Sequence, residues 1–214
     1  MTITIAQARS WYASADPVHD FEHVLRVYRM AEKIALAEGA DLEIVQAAAL
    51  LHDSVGSAPG GDGQERLGHH LTSAQFAGEV LAAEGWQPER IAAVQHCIRA
   101  HRFRHQGERP QTLEAKCLYD ADKLDVLGAI GAARTIAFAA LSGQPSYQEP
   151  SERFLREGTT EPDEPHSSYH EYLFKLRKVK DQLFTPTGKA IAGHRHKFLE
   201  EFYAELQAEC RGER

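Results

Sequence analysis

Apolar residues recur at three- and four-residue intervals along almost the whole chain, and strand-like alternation is nearly absent. The pattern predicts an all-α fold. A short helix near residues 4–13 precedes a longer one near 20–38, where Val27, Met30, Ala31 and Ile34 share one face and Gly39 supplies a stop. Asp41 is placed to cap the next helix, 42–53, which is apolar nearly all round from Leu42 through Leu51. A helix without a polar face belongs at the centre of a fold. Further helices are expected near 68–84, 88–102 (opening on Pro88), 112–126 and 128–141. The stretch 143–167, rich in Pro, Gly, Ser and Glu, reads as a long loop or flap, and two charge-rich helices near 168–183 and 187–209 close the chain. The expected organisation over 1–214 is one domain: a helical core at about 19–142, the flap, and a C-terminal helical pair at about 168–209.

A length of 214 residues suits one domain with a substantial core, and 43% hydrophobic with 26% charged residues is ordinary for a globular chain. The formal charge of −7 argues against long nucleic acid or an anionic membrane as partner, so a phosphate-bearing ligand would need local attraction from a metal ion or clustered cations. Cys97, Cys117 and Cys210 are scattered and form no CxxC, which makes a disulfide framework or cysteine zinc site improbable. The N-terminus lacks the pattern of a leader, no apolar run reaches spanning length, and a reducing cytoplasm is the default expectation. The loop GSAPGGDG lacks a following Gly-Lys-Ser/Thr and a preceding strand, so it reads as a connection rather than a phosphate loop.

The chemistry is carried by polar residues at positions where the pattern calls for apolar ones. His23 lies four residues before Val27 and seven before Met30, on their inward face. His52 and Asp53 end the most apolar helix of the chain, where an ionised carboxylate costs several kcal/mol unless a cation or donors compensate. Asp120 and Asp122 occupy another mostly apolar helix and point to nearly opposite sides, so they cannot face one site equally. Two imidazoles and two carboxylates from three helices could surround a hard or borderline divalent ion. The alternative from spacing alone is a core histidine, a helix-end aspartate and a capping aspartate, each satisfied separately.

His101 continues the inward face of Ile91, Val94 and Ile98, whereas His96 lies on another face beside Ala92 and Ala100. Either is a candidate partner of the site or a packed, satisfied histidine. Arg26 shares the side of His23 and could bind phosphate or pair Asp20 or Glu22. His69 and His70 are expected in a solvated loop before a helix start at Thr72 or Ser73. His194 and His196, two apart on a helix, chelate poorly and are expected on the surface.

The segments HDFEHVLRV, AAALLHD and LYDADKLDVLGAIGAAR, in that order, resemble the HD superfamily of metal-dependent phosphohydrolases. They are similar in particular to a bacterial subgroup reading HDxxHxxRV, LHD and DADRLDALGAIG. The likeness continues through AAVQHCIRAHRF and through YHEYLFKLRKVKDQLFTPTGKAIAGHRHKFLEEFYAEL, spanning about residues 19–205. The resemblance implies an HD-domain helical bundle. It implies one divalent metal ion (Mn, Fe, Co, Ni, Zn or Mg) on His23 rather than His19, on His52 and Asp53, and on Asp122. Asp120 is then a supporting carboxylate, and a second metal site on extra histidines such as His69 and His70, which some HD enzymes have, is the alternative to their solvated loop.

It further implies catalytic roles for Asp53 and His101, and phosphate contacts from Lys123, Arg26 and His96. Lys123 stands where the subgroup often has Arg, which keeps the charge but not a bidentate grip. HRFRH, with Arg102, Arg104 and His105, departs from the subgroup's HSFS. Arg134 matches the Arg of GIAR and could hold the flap or phosphate, or form a salt bridge. The implied activity is hydrolysis of a small phosphorylated substrate, a nucleotide, with nucleoside triphosphate pyrophosphohydrolysis as one form. A phosphomonoesterase, a cyclic-nucleotide phosphodiesterase and a non-catalytic nucleotide or metal sensor are the alternatives.

Overall fold

A computed structural model describes residues 3–12, 21–55, 65–103 and 107–214. The loop GSAPGGDG, together with His19, Asp20, Arg104 and His105, lies outside the described residues. Among those described the chain is helical throughout, without a strand: α1 (Ile5–Arg9), α2 (Phe21–Glu38), α3 (Leu42–Leu51), α4 (Glu65–Ala83), α5 (Pro88–Ala100), α6 (Leu113–Leu124), α7 (Gly128–Leu141), α8 (Glu152–Glu157), α9 (Ser168–Phe174), a 3₁₀ helix (Leu176–Gln182) and α10 (Pro186–Cys210). No single helix among the described residues is long and apolar enough to cross a membrane.

The packing divides the chain into two compact units, Met1–Asp122 with Leu183–Gly188, and Lys123–Gln182 with Lys189–Arg214. In the first unit α3 is the hub, packing against α1, α2, α4 and α5. Its residues Ile44, Val45, Ala47, Ala48, Ala49, Leu50 and Leu51 are all buried. Three consecutive alanines let helices approach closely on several sides, and each buried Leu or Ile stabilises by about 1.5–3 kcal/mol. The helix starts where Asp41 accepts from the N–H groups of Glu43 and Ile44, and Gly39, at φ +76°, ends α2 just before it.

One buried carboxylate ties the far end of the chain into this unit. Asp120, fully buried, accepts from the N–H groups of Phe184 (2.9 Å) and Thr185 (2.7 Å) and from the Thr185 hydroxyl (2.7 Å). Thr185 Oγ1 in turn accepts from the N–H of Gly188 in the first turn of α10 (2.9 Å). A β-carbon at Gly188 would collide with Asp120 Oδ2, so only glycine allows this approach.

In the second unit α7 packs on α9, and the core contains Ala132, Ala139, Phe154, Tyr172, Leu176, Val179, Leu199 and Tyr203. The Tyr172 and Tyr203 rings stack at 4.4 Å. The 143–167 stretch is not wholly a loop: Ser151 caps α8 by accepting from Phe154 N–H, and Gly158 ends it at φ +72°. Glu164 knots this segment, accepting from Ser151 N–H (2.6 Å) and hydroxyl (2.7 Å), from Glu161 N–H (2.8 Å), and pairing with buried His170 (3.0 Å). The expected helix 168–183 is instead α9 and a 3₁₀ helix, separated where Lys175 leaves the helical region. Contrary to the surface position expected, His196 is buried, because it shares the inward face of Ala192, Leu199 and Tyr203; its Nε2 lies 3.1 Å from Glu200. His194 is exposed.

Candidate metal centre

The centre is built at helix ends and on inward faces of the first unit. α3 ends at Leu51, so His52 is its C-cap and Asp53 follows, rather than both lying inside the helix. His23 comes from the first turn of α2, where Val24 and Val27 are also buried. Asp122 comes from α6 and His101 is the C-cap of α5.

His23 Nε2 lies 3.8 Å from Asp53 Oδ2 and 3.6 Å from Asp122 Oδ1, and His52 Nε2 lies 3.5 Å from Asp53 Oδ2. Donor atoms sharing an ion at about 2.1 Å stand roughly 3–3.5 Å apart, so a small inward movement would bring these groups onto one ion. His23, His52 and Asp53 form one of two groups among the described residues that could hold a metal.

The chemistry of His52 supports the fit. Its ring is wholly buried, and Nδ1 donates to Ala49 O at 2.8 Å, which fixes the proton on that nitrogen. Burial pushes its pKa down to about 4, so the ring is neutral near pH 7. Nε2 is therefore a bare lone pair that makes no hydrogen bond among the described residues while facing a carboxylate oxygen. An unmatched buried acceptor costs about 1–3 kcal/mol, and a cation between the two lone pairs removes that cost. Burial would raise the Asp53 carboxyl, yet the neighbouring imidazoles of His52, His101 and His69 hold it well below the usual range. Asp53 is thus an anion with a ring of imidazoles around it.

His101 is almost fully buried; its Nδ1 donates to Ile98 O (2.6 Å) and its Nε2 stands 3.4 Å from Asp53 Oδ1. His69 is not in a solvated loop: α4 begins at Glu65, and His69 Nε2 lies 3.1 Å from Asp53 Oδ1. Asp53, His69 and His101 are the second group with metal-binding proximity. The solvated-loop expectation for His69 fails because the buried face Leu81, Ala77, Ser73 of α4 points back to it in steps of four. His70 is half-buried, and burial lowers its pKa to about 4.

Other candidates are engaged elsewhere. His96 pairs through Nδ1 with Glu108 and accepts through Nε2 from Gln111 N–H (3.2 Å), so both ring nitrogens hold the segment after α5. Glu108 also receives Arg99, and Glu22 is paired with Arg9 (3.2 Å). Arg134 makes a largely buried salt bridge to Asp125, the blander of its two expected roles. Asp120 is the tether described above. Arg26 and Lys123 are half-buried. The three cysteines are free thiols, Cys97 and Cys117 buried and Cys210 exposed.

The HD-domain family model matches residues 20–127, a stretch that contains α2 to α6 and His23, His52, Asp53, His69, His101 and Asp122. The chain belongs to the HD-domain family. YpgQ of Bacillus subtilis is 32% identical over 214 residues, covering 96% of this chain and 93% of its own. The crystal structure of YpgQ in complex with ADP superposes with a TM-score of 0.72 at 30% identity, over 96% of this chain and 97% of that one. An HD-superfamily hydrolase from Bacillus thuringiensis superposes with a TM-score of 0.71 at 27% identity, covering 97% and 94%. Within the HD family the His–Asp group of this chain is one that can hold a divalent ion, and its structural relatives include hydrolases.

Proposed function

We propose that this HD-domain protein is a metal-dependent phosphohydrolase that cleaves a phosphoanhydride of a small nucleotide. The observation that carries the reading is the buried, neutral His52 whose bare Nε2 confronts the Asp53 carboxylate. His23, His52, Asp53 and Asp122 would hold the ion. When bound, a divalent ion makes hydroxide available near neutral pH and draws charge from a phosphoryl oxygen.

The protein's own groups supply the rest. Asp53 remains ionised and stands beside the reacting face, placed to orient the attacking water and receive its proton. His101, held by Ile98 O through Nδ1, directs Nε2 toward the same space and, as the imidazolium, is placed to donate to a phosphoryl or leaving-group oxygen. Lys123 and Arg26 are assigned to neutralise phosphate charge, and His96 is not assigned to that task because Glu108 and Gln111 occupy it. The adenine nucleotide bound by YpgQ supports a nucleotide as substrate class. Nucleoside triphosphate cleavage to monophosphate and pyrophosphate is the specific form proposed.

The test is ³¹P NMR of each common nucleoside triphosphate incubated with the protein and Mn, Co, Ni, Zn or Mg. Equal release of monophosphate and pyrophosphate is expected with at least one metal. Release of orthophosphate alone would replace the reading with a phosphatase, and no turnover with any metal would favour a sensor.

A further inference from the structure

Asp53 presents its second oxygen to two more histidines. His69 Nε2 and His101 Nε2 lie 3.1 and 3.4 Å from Oδ1, and by distance alone this trio could hold a second ion bridged by the carboxylate. We propose that Arg102 prevents this: its guanidinium fixes the proton of His69 on Nε2, so that His69 turns an N–H rather than a lone pair toward Asp53, keeping the centre at one metal ion per chain. The proposal rests on the reading of Asp53 as a ligand of that first ion.

A neutral imidazole has one N–H and one lone pair, and it ligates a metal only through the lone pair. For His69 to ligate through Nε2, its proton would have to sit on Nδ1. That nitrogen lies 2.9 Å from Nη1 of Arg102. A guanidinium carries donors only and stays protonated in proteins, so a proton on Nδ1 would set donor against donor. The lone pair of His69 therefore belongs on Nδ1, receiving Arg102, and the proton on Nε2, pointing at Asp53 Oδ1. The contact with Arg102 sets this tautomer, and Nε2 stands 3.1 Å from Oδ1. Turning the ring over would put carbon at both positions and lose both contacts.

His52 is arranged the opposite way. It donates from Nδ1 to the backbone carbonyl of Ala49, which leaves Nε2 bare. That is the arrangement in which ligating histidines are usually oriented by their surroundings. The fixed charge of Arg102 beside His69 adds repulsion against a second dication. Asp53 is left divided: Oδ2 faces His23 and His52, while Oδ1 faces Nε2 of His69. Arg102 is thus a positioning residue, acting through His69 on the number of ions bound.

The experiment loads wild-type protein and Arg102→Glu with Mn, removes loose metal by gel filtration, and measures Mn per chain together with the EPR spectrum. One ion with the spectrum of an isolated Mn is expected for wild type. Arg102→Glu supplies an acceptor for a proton on Nδ1, so two ions with exchange-coupled signals are expected, reverting to one in Arg102→Glu/His69→Ala. Two coupled ions in wild type, or a folded Arg102→Glu that still binds one, overturns the proposal. Long-range ¹H–¹⁵N NMR on metal-free wild type decides the point without any variant: His69 must be protonated on Nε2, and protonation on Nδ1 overturns it. A wild type that binds no Mn contradicts the metal centre itself, a separate failure in which the NMR measurement still judges Arg102.

Discussion

Replacing Asp120 by Ala removes the acceptor for three buried donors, the N–H groups of Phe184 and Thr185 and the Thr185 hydroxyl, at 2.7 to 2.9 Å. Hydrogen bonds to a charged acceptor contribute about 1.5–3 kcal/mol each, and orphaned buried donors cost about 1–3 kcal/mol. Three such bonds are not additive, and losing the buried charge itself returns some desolvation energy. The net destabilisation is therefore about 3–5 kcal/mol. Trp11 and Trp86 both lie in the unit that Asp120 secures, so tryptophan fluorescence reports on that unit. With a urea slope of about 2 kcal/mol/M, the midpoint should fall by about 1.5–2.5 M. Asp120→Ala should still bind Mn. A midpoint shift under about 0.5 M would refute the tether, and loss of Mn from a folded variant would refute the division of labour between Asp120 and Asp122.

Asp122→Asn should behave in the opposite way: unfolding of the metal-free protein shifts by less than about 1 kcal/mol, because one of two carboxylates crowding His23 is gone. Mn at about 100 times its Kd should stabilise wild type by about 2.7 kcal/mol and leave this variant unmoved, as read by thermal unfolding. Glu164 gives the second unit an acid limit. Burial would raise its carboxyl, but bonds from His170, Ser151 and Glu161 hold it at about 2, below the ordinary 4.5. A depressed folded-state pKa stabilises fully above about 4.5 and is lost as pH falls toward 2. Near-ultraviolet CD of the stacked tyrosines should follow that loss, and Glu164→Gln should flatten it. Gly188→Ala should destabilise the first unit in the same fluorescence assay, since its β-carbon collides with Asp120 Oδ2.

Much of this was legible from periodicity. His23 shares an inward face with Val27 and Ile34, all buried, and Asp120 and Asp122 diverge as a helix requires. Asp41, Gly39 and Pro88 mark helix ends by their local chemistry, and the structure keeps each in that role. His69 was hidden because the Gly- and Gln-rich stretch before it looks like loop, while its role depends on α4 reaching back to Glu65. α8 was hidden by the Pro and Ser content of the flap, although Ser151 and Gly158 are ordinary capping residues. His196 was misplaced by comparison with His194 alone; its neighbours Ala192 and Leu199 place it inside. The tautomers of His52, His101 and His69 are set by Ala49 O, Ile98 O and Arg102, contacts that no spacing rule contains.

The most direct test of the central claim is anomalous diffraction at the Mn edge from crystals of the Mn-loaded protein. The account predicts one strong peak within bonding distance of His23, His52, Asp53 and Asp122. No peak there, or a peak that persists in Asp122→Ala, would contradict it.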